Sequence, residues 1–241
     1  MSIKNHIPNS LTLLNLFCGC CGIVACLYDQ YLAVPVFIGI ALLADFLDGF
    51  VARALKVKSD LGAQLDSLAD MTTFGVLPGM MLFVLIRQAY TDIACTGYQG
   101  KYFPYIGFIY SIFACLRLAK FNIDTRQTVN FIGLNTPSGA MFVLGLYANL
   151  KFHIFQIPFL YSTTALLIIA VGLAFMLVSE LEIFSMKGNP FSWKQNKWRV
   201  LFLISCIPQL IFLKWLGLTT CIVSYVLFAL MHNATKQPES N

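Results

Sequence analysis

Four aspartates, Asp45, Asp48, Asp66 and Asp70, stand inside long apolar stretches of chain. An ionised aspartate at the centre of a membrane helix costs about 2.5–3.5 kcal/mol on insertion scales, so acids placed there demand a reason. On a helix, Asp45 and Asp48 are three residues apart and Asp66 and Asp70 four apart, so each pair shares one face. If the two stretches are antiparallel neighbours, all four carboxylates reach similar depth. Unneutralised, such a cluster would repel itself or take up protons, whereas a hard divalent cation, Mg²⁺ or Mn²⁺, prefers oxygen ligands and offsets the repulsion. Two ions are the expected number, because two-metal sites organise in-line displacement at phosphorus.

Small residues flank these acids. Gly49 and Ala52 remove bulk beside Asp48, and Gly62 lies one turn before Asp66, so a nucleotide or another backbone can approach closely. Arg53 can hold a phosphate oxygen by paired hydrogen bonds, or it can act with Lys56 and Lys58 as a topology anchor. Asp60 reads as a helix-start residue rather than a fifth ligand.

The elements that must position these side chains are membrane helices. The 241 residues are 58% hydrophobic and only 11% charged, with a mean hydropathy of +0.74; a soluble domain carries about 25% charged residues. A spanning helix needs about 20 apolar residues, and that length divides the chain into an all-α bundle of about eight helices. They cover 10–28, 31–54, 62–86, 102–122, 137–155, 158–184, 199–213 and 216–231, six forming a core and two following it. The first apolar run follows Lys4 without a small-x-small cleavage pattern, so it is expected to be a retained helix rather than a signal peptide. One domain over 1–232 and a frayed polar tail over 233–241 complete the expected organisation.

With an even number of helices both termini share a side, and 12 of the 16 basic residues fall on it; only Arg87, Lys101, Lys151 and Lys214 fall on the other. The asymmetry places both termini, and the aspartates with them, on the cytoplasmic side of the cytoplasmic membrane. The net charge of +5 does not point to nucleic acid, because no run of five basic residues and no nucleic-acid motif is present. Among the eight cysteines, Cys18, Cys20, Cys21 and Cys26 cluster within an apolar run without a nearby histidine, and they read as packing residues. Gly75 and Gly79 beside Pro78 predict a kinked, closely packed third helix.

The segment Asp45-Phe-Leu-Asp48-Gly49-Phe-Val-Ala52-Arg53, eight residues, then Gly62-Ala-Gln-Leu-Asp66-Ser-Leu-Ala-Asp70 resembles the complete signature of the CDP-alcohol phosphatidyltransferases. The resemblance implies that Asp45, Asp48 and Asp66 hold metal with help from Asp70, and that Asp70 is the general base. That role suits the chemistry, since an alcohol is a poor nucleophile until a carboxylate accepts its proton. Pro8-Asn9-Ser-Leu11-Thr12-Leu-Leu-Asn15 is similar to the family's opening motif, placing Asn9 and Thr12 with Asp48, Gly49, Ala52, Arg53 and Gly62 at the nucleotide of CDP-diacylglycerol. Asn9 or Ser10 could equally cap the first helix.

Arg117-Leu-Ala-Lys120-Phe-Asn122 and Phe131-Ile-Gly133-Leu-Asn135-Thr-Pro137 resemble stretches of the phosphatidylserine synthases of that family. The resemblance implies L-serine as acceptor, bound by Arg117, Lys120, Asn122 and Asn135, and a homodimeric enzyme embedded in membrane lipid. Lys120 and Asn135 depart from the more usual Arg and Pro, which leaves glycerol 3-phosphate or inositol phosphate as alternative acceptors. A divalent-metal transporter is the rival from another class, but its acids would sit near the midplane between repeats, and no repeat is visible.

Overall fold

The structure is a computed structural model that describes residues 3–57, 59–93, 102–124, 131–183 and 193–235. Helices α1 (Ile3–Leu27), α2 (Ala33–Ala54), α3 (Asp60–Asp70), α4 (Leu77–Ile93), α5 (Ile109–Ile123), α6 (Thr136–Lys151), α7 (Thr163–Val178) and α8 (Trp193–Thr235) make up nearly all of it. Among the described residues, five helical stretches are long and apolar enough to cross a membrane: His6–Leu27, Ala33–Ala54, Asp60–Tyr90, Phe103–Ile123 and Lys197–Thr235. The outer surface is inverted relative to a soluble protein, with Phe17, Phe46 and Phe212 more than 60% exposed. This is an all-α integral membrane protein.

The expected helices are present with changed ends. The first begins at Ile3, not Ser10, and carries Pro8 within it. Asn9 and Ser10 are therefore not caps; Ser10 instead donates to the His6 carbonyl at 2.8 Å. The sixth expected helix stops at Val178, because Ser179 turns the chain to extended geometry at φ −62°, ψ 150°. Glu182 and Ile183 then pair antiparallel with Ile132 and Phe131, a two-residue ladder that no apolar pattern announced. Helix α8 continues to Thr235, and Asn233 donates to the Glu182 carbonyl at 2.8 Å. Lys58, Lys101, Arg126, Lys187 and Lys236, part of the charge asymmetry above, lie outside the described residues.

The expected boundary between the last two helices is real although the helix is continuous in outline. Lys214 leaves helical geometry at φ 50°, ψ −122°, and the chain folds back on itself there. Gln209 reaches Ser224 at 3.0 Å, and the Phe202 and Tyr225 rings lie 5.1 Å apart, so the two halves of α8 run antiparallel.

The kink anticipated at Pro78 takes the form of a π-helical turn over Met71–Val76, which joins α3 to α4. Proline has no N–H for the carbonyl four residues back. That carbonyl belongs to Phe74, and it accepts the Tyr110 hydroxyl at 3.2 Å instead. Ser111 donates to the neighbouring Gly75 carbonyl at 2.9 Å, so α5 satisfies the backbone that the π-turn frees. In lipid, close packing and such interhelical hydrogen bonds hold helices together, because hydrophobic transfer between helix and tail contributes little. Small residues allow the approach: a Cβ at Gly19 would lie 3.1 Å from the Thr73 backbone, and one at Gly139 would lie 3.2 Å from the Tyr110 ring. The core around α4, with Leu77, Met81, Leu82 and Ile86 fully buried, is the fixed body against which the site is built.

Candidate active site

The site forms where α2 ends and α3 begins. At its C-terminus α2 closes with a Schellman motif: Lys56 takes a positive φ of 53°, its N–H reaches the Arg53 carbonyl at 3.1 Å, and Val57 N–H reaches the Ala52 carbonyl at 3.0 Å. Ser59 then caps α3 by accepting from the Gly62 N–H at 3.0 Å, and Asp60 occupies the first turn, where its charge favours the helix N-terminus. The short reversal turns α3 back toward the end of α2, and α1 packs against both helices. Asp45, Asp48 and Asp66 come together so that one ligand oxygen from each lies within 4.8 Å of the others.

Three crowded carboxylate oxygens are a hard donor set, and their mutual repulsion makes a divalent cation the natural occupant; the residues fit the implied metal. Asp70 lies one turn further along α3 and is not part of that trio among the described residues. It is held differently, by the Asn15 side-chain amide, which donates to its Oδ1 at 3.3 Å.

Helix α1 supplies the third wall. Thr12, buried, donates to Asp48 Oδ2 at 2.5 Å, a short charge-assisted bond. Asn15 is fully buried, its own Oδ1 has no partner among the described residues, and Thr73 donates to its backbone carbonyl at 3.0 Å. The sequence pattern contained Asn15 in the opening motif, three residues after Thr12, but gave it no role; its spacing on the Asn9–Thr12 face was the available signal.

Between these walls runs a cleft of about 600 Å³ lined by Asn9, Thr12, Asp48, Gly49, Ala52, Gly62 and Asp66. Six of the seven residues expected at the nucleotide therefore line one cavity, together with Asp66. Arg53, the seventh, is exposed, and its guanidinium rests over Gly49, with Nη1 3.4 Å from where a Cβ would stand. A Cβ at Gly62 would lie 3.0 Å from Ser59 Oγ and 3.2 Å from Asn9 Oδ1, so glycine keeps this edge of the cleft open.

The four residues expected at the acceptor separate. Asn122 reaches α3, donating to Ser67 Oγ at 2.9 Å next to Asp66. Arg117 is 7% exposed; it donates to Thr136 Oγ1 at 3.3 Å and lies 5.5 Å over the Phe121 ring. Lys120 is exposed and faces a second pocket that Arg117 also lines. Asn135 caps α6, its side-chain oxygen accepting from the Ser138 N–H at 2.8 Å.

The family model for CDP-alcohol phosphatidyltransferase matches residues 5–178, from α1 through α7. A CDP-diacylglycerol–serine O-phosphatidyltransferase of Bacillus subtilis (strain 168) is 34% identical over 182 residues, 74% of this chain and 89% of that protein. Proteins of the same name from Mycobacterium leprae (strain TN) and Saccharomyces cerevisiae (strain ATCC 204508 / S288c) are each 33% identical, covering 73% and 64% of this chain but only 57% and 58% of theirs. The chain belongs to the CDP-alcohol phosphatidyltransferase family. Membership in a transferase family removes the transporter reading.

Proposed function

We propose that this protein is a phosphatidylserine synthase, transferring the phosphatidyl group of CDP-diacylglycerol to L-serine and releasing CMP. The observation that carries the reading is the gathering of Asp45, Asp48 and Asp66 beside a cleft floored by Gly49, Ala52 and Gly62, with Asp70 one turn away. The names of the relatives support serine as the acceptor.

In this reading the cleft receives the cytidine diphosphate, with Asn9 at its edge and Arg53 on a phosphate oxygen. Asp45, Asp48 and Asp66, aided by Asp70, would hold Mg²⁺ or Mn²⁺, two ions in all, and the metal would supply charge neutralisation at the diphosphate and the departing CMP. Thr12 fixes the carboxylate of Asp48 so that one oxygen stays directed at the ligand position. Asp70, oriented by Asn15, accepts the proton of the serine hydroxyl as its oxygen attacks the diacylglycerol-linked phosphorus; the bond from that phosphorus to the CMP oxygen breaks. Arg117, Lys120 and Asn122 hold serine. The enzyme works as a single domain and a homodimer in the cytoplasmic membrane, with both termini and the site cytoplasmic; the asymmetry of basic residues supports that orientation.

The test is CMP release from CDP-diacylglycerol by the purified protein, with serine, glycerol 3-phosphate, inositol phosphate or no acceptor, each with and without divalent metal. Release requiring both serine and metal is the expected result. Release with another acceptor would keep the phosphatidyl transfer and overturn serine.

A further inference from the structure

Helices α5 and α7 pack side by side, with the Phe113 and Phe175 rings 5.3 Å apart. About one turn further along each chain they open onto a pocket of about 790 Å³, lined by Arg117 and Lys120 from α5 and by Ser179 and Glu180 from the end of α7. It shares no lining residue with the aspartate cleft. Two observations mark it as a binding site. Arg117 is 7% exposed, yet its Nε–H has no hydrogen-bond partner among the described residues, so a buried cationic donor is left for an anion. The pocket also carries the opposite charge in two carboxylates: Asp124, which is already engaged within the protein, and Glu180, beside the C-terminal end of α7, where helix carbonyls favour a cation.

We propose that this pocket binds the acceptor as a zwitterion, the α-carboxylate on Arg117 with Lys120 and the α-ammonium on Glu180. The assignment rests on the serine reading and deepens it, because it makes Glu180 the residue that selects an amino acid. Glycerol 3-phosphate and inositol phosphate carry no cation, and a carboxylate facing their phosphate repels it. Helix α5 joins the pocket to the reaction, since it carries Arg117 and, five residues on, Asn122, which donates to Ser67 Oγ beside Asp66.

The experiment measures KM for L-serine, KM for CDP-diacylglycerol and kcat in wild type, Glu180→Gln and Glu180→Asp. Turnover of 3-hydroxypropionate, which is serine without its amino group, is measured alongside. Glu180→Gln should raise KM for serine about ten-fold or more, as the loss of a charge-assisted contact predicts, while KM for CDP-diacylglycerol and kcat stay within about two-fold of wild type. It should also erase the preference for serine over 3-hydroxypropionate, and Glu180→Asp should restore part of it. Glu180 is exposed, so the variants are expected to fold. An unchanged KM for serine in Glu180→Gln overturns the assignment alone. A wild-type protein that is inert with serine but releases CMP with another acceptor overturns the serine reading, and this assignment with it.

Discussion

Asp70 and Asn15 form the pair on which the proposed proton transfer turns. Replacing Asp70 by Asn keeps the shape of the side chain but removes the base. CMP release should then fall by about 10²–10⁴-fold, the usual contribution of a positioned general base, while the protein still purifies as a folded species in detergent. Asn15→Leu tests orientation rather than basicity. It keeps the branching and heavy-atom count of the amide and deletes the 3.3 Å bond to Asp70. Losing a partner that orients a ligand or base costs about 10–100-fold in activity or metal affinity. The expected signature is a lower kcat, or a higher metal requirement, with KM for CDP-diacylglycerol little changed. Wild-type kcat and metal dependence in Asn15→Leu would reduce Asn15 to a packing residue.

The π-turn is the element that places this pair. It lies directly after Asp70 and brings Thr73 to the carbonyl of Asn15 at 3.0 Å, so α1 is fastened to the point where α3 passes into α4. Its cost is the Phe74 carbonyl that Pro78 cannot serve, and the Tyr110 hydroxyl meets that need. Tyr110→Phe should therefore lower stability by about 1–3 kcal/mol, the penalty for a buried polar group left unsatisfied. A thermal melt in detergent measures it, and Pro78→Ala, which returns an N–H to that carbonyl, should recover part of the loss. A Tyr110→Phe protein as stable as wild type would show that the π-turn does not depend on this contact.

At the scale of the whole molecule, the proposed orientation puts the aspartate cleft on the side where the cytoplasm supplies serine, nucleotide and metal. A reporter that is active only outside the cytoplasm, fused after Thr235, should be silent, and one inserted at His153 in the α6–α7 connection should be active. The opposite pattern would invert the protein and separate the site from its soluble substrates. Chelation should stop CMP release in either orientation, and added Mg²⁺ or Mn²⁺ should restore it, because the Asp45, Asp48 and Asp66 cluster has no chemistry to offer without a cation.

Much of this protein was legible before any coordinates. Apolar length determined the helices, since a bilayer admits few other structures, and local spacing determined which aspartates share a face. Even the fold-back at Lys214 was visible as a break between two short apolar runs. What tertiary structure decided were the relations between residues far apart in the chain and the geometry of backbone that hydropathy does not report. The capping of α6 by Asn135, the start of α1 at Ile3 and the stop of α7 at Val178 depend on individual dihedral angles. The partners of Thr12, Asn15 and Arg117 lie on other helices, so only packing could show that Thr12 serves Asp48, that Asn15 serves Asp70, and that a buried Arg117 faces a pocket shared with Glu180.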